Sequence, residues 1–267
     1  MKAPNNFTLH KDWIAASYQR YGDDNMVQIG DLHFYKSGEV LKCIHFFDFD
    51  INSLSIGAER LLFRYINDKT AKNLMRYAKE NGLNLAVVDH WAAPILNTDG
   101  HKYFTNRCLR IRRNYKKYLN NKTEYVFKES NAKNIQELWK DVLDIDINSW
   151  KGTQKSDMQS LEREDLQYIY YMLKNIDKIS LKVVYHNSRP LGYSLMFKDG
   201  TQWYAVKWGA SDKGREHNAG INVLFSHIES LMSKGLNLDF WGRRSQFYDM
   251  LKTDSVDRCH LEISKCK

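Results

Sequence analysis

Apolar residues recur with a helical period near the C-terminal end of the chain. Ile221, Leu224, Phe225, Ile228, Leu231 and Met232 form one stripe, which predicts an amphipathic helix. Gly235 after Lys234 stops it, and Leu236 to Trp241 reads as a buried strand. Before the helix lies a polar, small-residue turn that begins at Gly214, with Arg215, Asn218 and Gly220 at the helix mouth. Such a mouth offers unpaired N–H groups and a partial positive charge, a seat for an anion such as a pyrophosphate. The plain alternative is an ordinary helix joining two strands.

The rest of the chain alternates between the two periods. A helix over Lys11–Arg20 leads into strands near Met26–Ile29, Leu32–Lys36, Val40–Phe47 and Glu59–Tyr65. Asn67 or Asp68 caps a helix beginning near Thr70. In Asn106–Lys122, Cys108, Ile111, Tyr115, Tyr118 and Leu119 share a helical face while Arg107, Arg110, Arg112, Arg113, Lys116 and Lys117 crowd the remainder. That basic helix is either a phosphate or lipid-headgroup contact or a solvated face. A strand over Glu124–Lys128, helices over Lys133–Ile147 and Arg163–Lys174, and strands over Ser180–His186, Pro190–Lys198 and Gln202–Ala210 follow. Asn187-Ser188 and Asp199-Gly200 supply the turns of that meander. A short helix over Ser245–Lys252 and a strand over Asp257–Ser264 come last.

The two halves echo each other. Thr70–Trp91 and Asn222–Gly242 each read as a helix, then Gly-Leu-Asn-Leu (Gly82–Leu85 and Gly235–Leu238), then a strand. Two copies of one α/β unit follow from this, over residues 1–105 and 123–267, joined by the basic helix at 106–122. The first copy has no glycine-rich turn before its helix, so it keeps the frame and lacks the anion seat.

Composition narrows the classes. With 43% apolar residues, 3 prolines and 14 glycines among 267, the chain is neither disordered nor of low complexity. No apolar run is long enough to span a membrane and the N-terminal stretch lacks a signal-peptide core, which points to the cytoplasm. Cys43, Cys108, Cys259 and Cys266 have no metal-like spacing and suit reduced thiols, so no metal is expected. A formal charge of +8 suits an anionic partner: a phosphorylated cofactor, a nucleic acid or an acidic membrane face.

The element order of the second half, strand, two helices, antiparallel meander, helix, strand, helix and strand, resembles the GNAT superfamily of acyl-CoA-dependent N-acyltransferases. The family's Gln/Arg-x-x-Gly-x-Gly/Ala loop is matched by Arg215 and Gly220, with Asn218 in place of the middle glycine. The closer likeness is to the tandem-domain branch that contains FemAB-type transferases and acetyltransferase-like proteins linked to cellulose and other polysaccharides. Ser149-Trp150-Lys151-Gly152, the basic stretch Arg110–Lys117, and Asp239, Gly242, Phe247 and Tyr248 carry that likeness. Phe247-Tyr248 stands where the branch has Tyr-Lys. The resemblance implies an α/β (α+β) fold of two tandem GNAT-like domains, each a mixed, mostly antiparallel sheet flanked by helices, with the first degenerate.

It also implies a donor, acetyl-CoA or another acyl-CoA, held by Trp208, Gly209, Arg215, Asn218, Ala219, Gly220 and Ile221. Acyl transfer to an amine needs a neutral amine, a stabilised carbonyl oxygen and a proton for the departing thiolate. Tyr248 is the candidate proton donor, or else a packed tyrosine; Asp239 is a candidate base, or a partner of Arg243 or Arg244. Trp150, Lys151, Arg243 and Arg244 are candidates for acceptor binding, which suggests an anionic, nucleotide-linked or lipid-linked amine. The expected acceptor is an amino sugar or amino acid in polysaccharide or cell-envelope assembly. Two alternatives stay open: a FemAB-like transferase that uses aminoacyl-tRNA, and a non-catalytic partner of a polysaccharide synthase. Nucleic acid is otherwise not expected as a partner, and a homodimer is compatible with the chain.

Overall fold

Strands form the framework of the chain, with helices covering their apolar faces. The computed structural model describes residues 6–57, 59–98, 103–149, 167–232, 236–241 and 246–265. Its described residues form two units that are not consecutive in sequence: one holds 6–93, 167–171 and 255–265, the other 94–149 and 172–254.

In the first unit, α1 (Lys11–Tyr21) precedes β1 (Met26–Ile29), β2 (Leu32–Ser37), β3 (Val40–Cys43) and β4 (Arg60–Asn67). The strand order is β1-β2-β3-β4, with β3 and β4 parallel and the other pairs antiparallel. The expected strand over Val40–Phe47 is shorter than its apolar run. Asn6 donates to the carbonyl of Phe46 at 2.6 Å, Thr8 accepts from the Phe46 N–H at 3.0 Å, and Phe47 takes φ 67°. Asn67 caps α2 (Asp68–Glu80) by accepting from the Thr70 N–H at 3.1 Å. The helix presses Ala71, Leu74 and Ala78 onto Leu41, Leu61 and Phe63. Gly82 at φ 61° then turns the chain into β5 (Leu83–Thr98), which passes from the first unit to the second at Pro94.

The second unit starts with that end of β5 and with α3 (Leu109–Asn121). Ile111 and Tyr118 of α3 are buried, whereas Cys108 and Leu119, expected on the same face, are exposed. The arc that packs is narrower than the apolar stripe, because the phenols of Tyr115 and Tyr118 both reach Glu229 and fix the helix's rotation. Next come β6 (Val126–Glu129), α4 (Ile135–Ile147), the end of a helical stretch over 167–174 whose residues 167–171 belong to the first unit, and the meander β7 (Ile179–His186), β8 (Arg189–Asp199) and β9 (Gln202–Ala210). Asn187 and Ser188 both have positive φ, as a two-residue hairpin turn demands. Short α5 (Asp212–Glu216) and long α6 (Ala219–Met232) follow, then β10 (Leu236–Asp239) and α7 (Gln246–Leu251). The strand order is β5-β10-β9-β8-β7-β6. The last strand, β11 (Asp254–Lys265), pairs antiparallel with β4 of the first unit and buries Cys259, Leu261 and Ile263 there.

The parallel pair β9/β10 is brief. Gln202, Trp203 and Tyr204 face Asn237, Leu238 and Asp239, and β9 then runs on to Ala210 without β10 beside it. A bulge helps the strands diverge: Leu195 faces Lys207 and Met196 faces Ala205, leaving Val206 extra.

Candidate active site

The site is built where β9 diverges from β10 and the chain turns into α6. Ser211 caps α5, accepting from the Gly214 N–H at 3.0 Å. The sequence predicted a polar, small-residue turn here. A short helix forms because that cap closes it and Gly214 lies hard against β8, where a Cβ would come 2.0 Å from the carbonyl oxygen of Leu191. Asn218 then takes φ 53° and reverses the chain. Asparagine occupies that left-handed region more readily than most residues, so the loop tolerates it.

The first helical bond of α6 runs from the Asn222 N–H to the Asn218 carbonyl at 3.0 Å. The amides of Ala219, Gly220 and Ile221 therefore precede the helical ladder, at the positive end of a 14-residue helix. In front of them lies a cavity of about 490 Å³ lined by Trp208, Gly209, Ala210, Arg215, Asn218, Gly220 and Ile221. That size is ordinary for a ligand site. Gly220 keeps the cavity's back wall thin: a Cβ there would stand 3.3 Å from the Trp208 ring. Ala219 turns its methyl away into a core with Leu191 and Val223. Arg215 is largely exposed and only loosely held by Asp212, at 3.8 Å.

Of the seven residues expected to hold a donor, six line this one cavity, and Ala219 is buried behind it and not among the lining residues. Ala210 lines it too and was not singled out; its place at the end of β9 was the available signal. Tyr248 on α7 stacks on Phe240 at 4.5 Å and lies 6.1 Å from Trp208, ring centre to ring centre. Burial pushes its phenol pKa well up, opposed by a hydrogen bond with Trp208. The indole can only donate, so its N–H points at the phenol oxygen. Tyr248 thus connects to the cavity through Trp208.

Asp239 is 4% exposed and is not among the cavity's lining residues. Its Oδ1 accepts from the Trp241 N–H at 2.8 Å, closing a turn in which Trp241 has φ 50°. His217 packs against Tyr125 and His186. Trp150, Lys151, Arg243 and Arg244 lie outside the described residues.

Sequence reasoning missed a buried ion pair on the other face of β9. Lys207 Nζ meets Asp146 of α4 at 2.6 Å, and Tyr193 donates to the second Asp146 oxygen at 2.8 Å. Neighbouring strand residues point to opposite faces, so α6 covers the Trp208 face and α4 the Lys207 face. Lys207 stands in the stretch of β9 that has left β10. A lysine in an otherwise apolar strand was the signal. A second buried group, His227 of α6, bridges Ser194 at 3.0 Å and Ser180 at 2.7 Å. Burial first, and the charge of Lys182 second, hold its pKa down to about 3.

No family model matches the sequence, and no curated protein matches it. Solved structures do. The C-terminal domain of a proposed lysylphosphatidylglycerol synthetase from Agrobacterium fabrum superposes with a TM-score of 0.59 at 10% identity, covering 96% of this chain and 92% of that one. FemX gives 0.55 at 10% identity, covering 85% and 83%. A tandem GNAT protein from the clavulanic acid biosynthesis pathway gives 0.54 at 9% identity, covering 94% and 86%. The fold is tandem GNAT-like. Each unit carries a mixed, mostly antiparallel sheet flanked by helices, as the element order of the second half implied.

Proposed function

We propose that the chain is an acyl-CoA-dependent N-acyltransferase whose donor site is the cavity at the mouth of α6. The observation that carries this reading is that Gly220 and Ile221 at the start of α6, Arg215 and the free-running end of β9 all line one cavity of about 490 Å³. Three amides and one cation suit a diphosphate. Gly220 leaves room for it, and Trp208 with Ile221 supplies an apolar wall for a pantetheine arm.

Bound there, an acyl-CoA supplies a thioester carbonyl and a thiolate leaving group. The protein's own tasks follow. The amides of Ala219, Gly220 and Ile221 fix the diphosphate, and Arg215 adds charge at the rim. Backbone along Trp208 and Gly209, beside the divergence of β9 from β10, lies where a carbonyl oxygen would be polarised. Burial keeps the Tyr248 phenol protonated at neutral pH, so Oη is the atom that would donate a hydrogen bond to a departing thiolate. Asp239, tied to the Trp241 N–H, is better suited to shaping the end of β10 than to taking a proton from an amine.

The proposed acceptor is an amino sugar or amino acid used in polysaccharide or cell-envelope assembly. That assignment rests on the Ser149–Gly152 and Arg243–Arg244 segments of the sequence. Calorimetric titration with acetyl-CoA and CoA tests the donor reading. Wild type should bind both, and Gly220→Trp, with its circular dichroism unchanged, should bind neither. Lack of CoA binding by the wild-type chain together with tight binding of aminoacyl-tRNA would move the assignment to a FemAB-like transferase.

A further inference from the structure

The outward face of α3 plays no part in the coenzyme site. This 13-residue helix carries Arg110, Arg112, Arg113, Lys116 and Lys117 and no acidic residue. Its inner arc is accounted for: Ile111 and Tyr118 are buried, and both tyrosine hydroxyls reach Glu229 of α6. Among the described residues nothing buries the opposite arc, where Arg110, Arg112, Arg113, Lys116 and Lys117 are exposed. At 100° per residue, Leu109 lies between Lys116 and Arg113 in the centre of the cationic arc. Leu109 is 52% exposed, and Leu119 on its flank is 39% exposed. Leu109, Arg110, Arg113, Lys116 and Lys117 border one shallow concavity of about 650 Å³.

We propose that α3 is a membrane-surface helix: it lies on an anionic lipid bilayer, with its lysines and arginines at the headgroup phosphates and Leu109 and Leu119 entering the acyl boundary. The pairing of cations with exposed leucines on one arc decides the occupant. Cations alone suit any polyanion, but leucines gain from an acyl boundary, while long basic side chains reach back to the phosphates. Single-stranded RNA would call for aromatic faces to stack bases. The tyrosines of α3 are turned inward and engaged by Glu229, so the outer arc offers none. The net charge of +8 is of the right sign. No helix among the described residues is long and apolar enough to cross a bilayer, which makes this contact peripheral. The inference stands independently of the transferase reading.

Co-sedimentation of the full chain with vesicles tests it. Vesicles of phosphatidylcholine mixed with phosphatidylglycerol should retain the protein at low salt, and pure phosphatidylcholine should not. Replacing Arg110, Arg113, Lys116 and Lys117 together by Gln should lower partitioning at least ~10-fold, with thermal unfolding unchanged. Leu109→Ser alone, which leaves the charge intact, should lower it several-fold. Failure of the wild-type chain to bind anionic vesicles would overturn the proposal. So would undiminished binding by the four-fold variant or by Leu109→Ser. Binding of tRNA in preference to the vesicles would overturn it in favour of RNA.

Discussion

At the scale of single residues, the site depends on one asparagine and one tyrosine. Asn218 supplies the φ of 53° that turns α5 into α6, and so aims the first amides of α6 at the cavity. Tyr248 is held protonated by burial. Tyr248→Phe keeps the ring and removes the proton. In a thiol-release assay against a panel of amino sugars and amino acids, kcat should fall on the order of 10²-fold. Acetyl-CoA affinity should stay the same. An unchanged kcat would remove Tyr248 from the chemistry.

Two buried imidazoles set a pH dependence. Burial lowers the pKa of His45 to about 4, and burial with the charge of Lys182 lowers that of His227 to about 3. His45 Nε2 accepts from the His33 N–H at 3.1 Å, so its Nδ1 carries the proton and donates to the Thr8 carbonyl at 2.9 Å. Both rings are neutral in the folded chain and take up a proton near pH 6.5 once unfolded. Below that pH the unfolded state binds more protons, so stability falls as acid is added, down to the folded values. The slope is up to about 1.4 kcal/mol per pH unit for each ring. Urea unfolding followed from about pH 7 to about pH 5 should show it, and His227→Gln should remove one share. An equal slope in that variant would contradict the account.

At the scale of elements, the helices and the meander were legible because their patterns are local. The α6 stripe buries Leu224, Phe225, Ile228, Leu231 and Met232, while Ile221, its first member, lines the cavity. Asn187 has the positive φ that asparagine tolerates well, and Ser188 follows it into the same region as the two-residue turn requires. What escaped depends on partners distant in sequence. The strand over Val40–Phe47 is cut short by Asn6 and Thr8, and α5 owes its place to Leu191. The same holds for Lys207, whose partner Asp146 sits on α4. Both side chains are nearly buried, so the pair is weakly screened. Lys207→Met takes the cation away from a buried carboxylate that Tyr193 still bonds, and should cost about 3–5 kcal/mol by urea unfolding. Adding Asp146→Asn to Lys207→Met should recover part of that loss. A single-variant loss below about 1 kcal/mol would show that the pair is solvated like a surface bridge.

At the scale of the whole molecule, the helix-then-strand echo of α2–β5 and α6–β10 was visible in two Gly-Leu-Asn-Leu tetrads. No local pattern shows that β11, at the end of the chain, pairs with β4, because Leu261 meets Phe63 across nearly two hundred residues. The candidate site lies within the second unit, and its parts are consecutive along β9, α5 and α6. That contiguity is why a resemblance carried by one short loop and the strand before it could name nearly all of its lining residues. The claim that matters most is that the amides opening α6 seat a coenzyme's diphosphate. Amide shifts in a ¹H–¹⁵N spectrum titrated with CoA test it directly. The account predicts the largest changes at Gly209, Ala219, Gly220 and Ile221. Saturable CoA binding that leaves those four amides unmoved would contradict it.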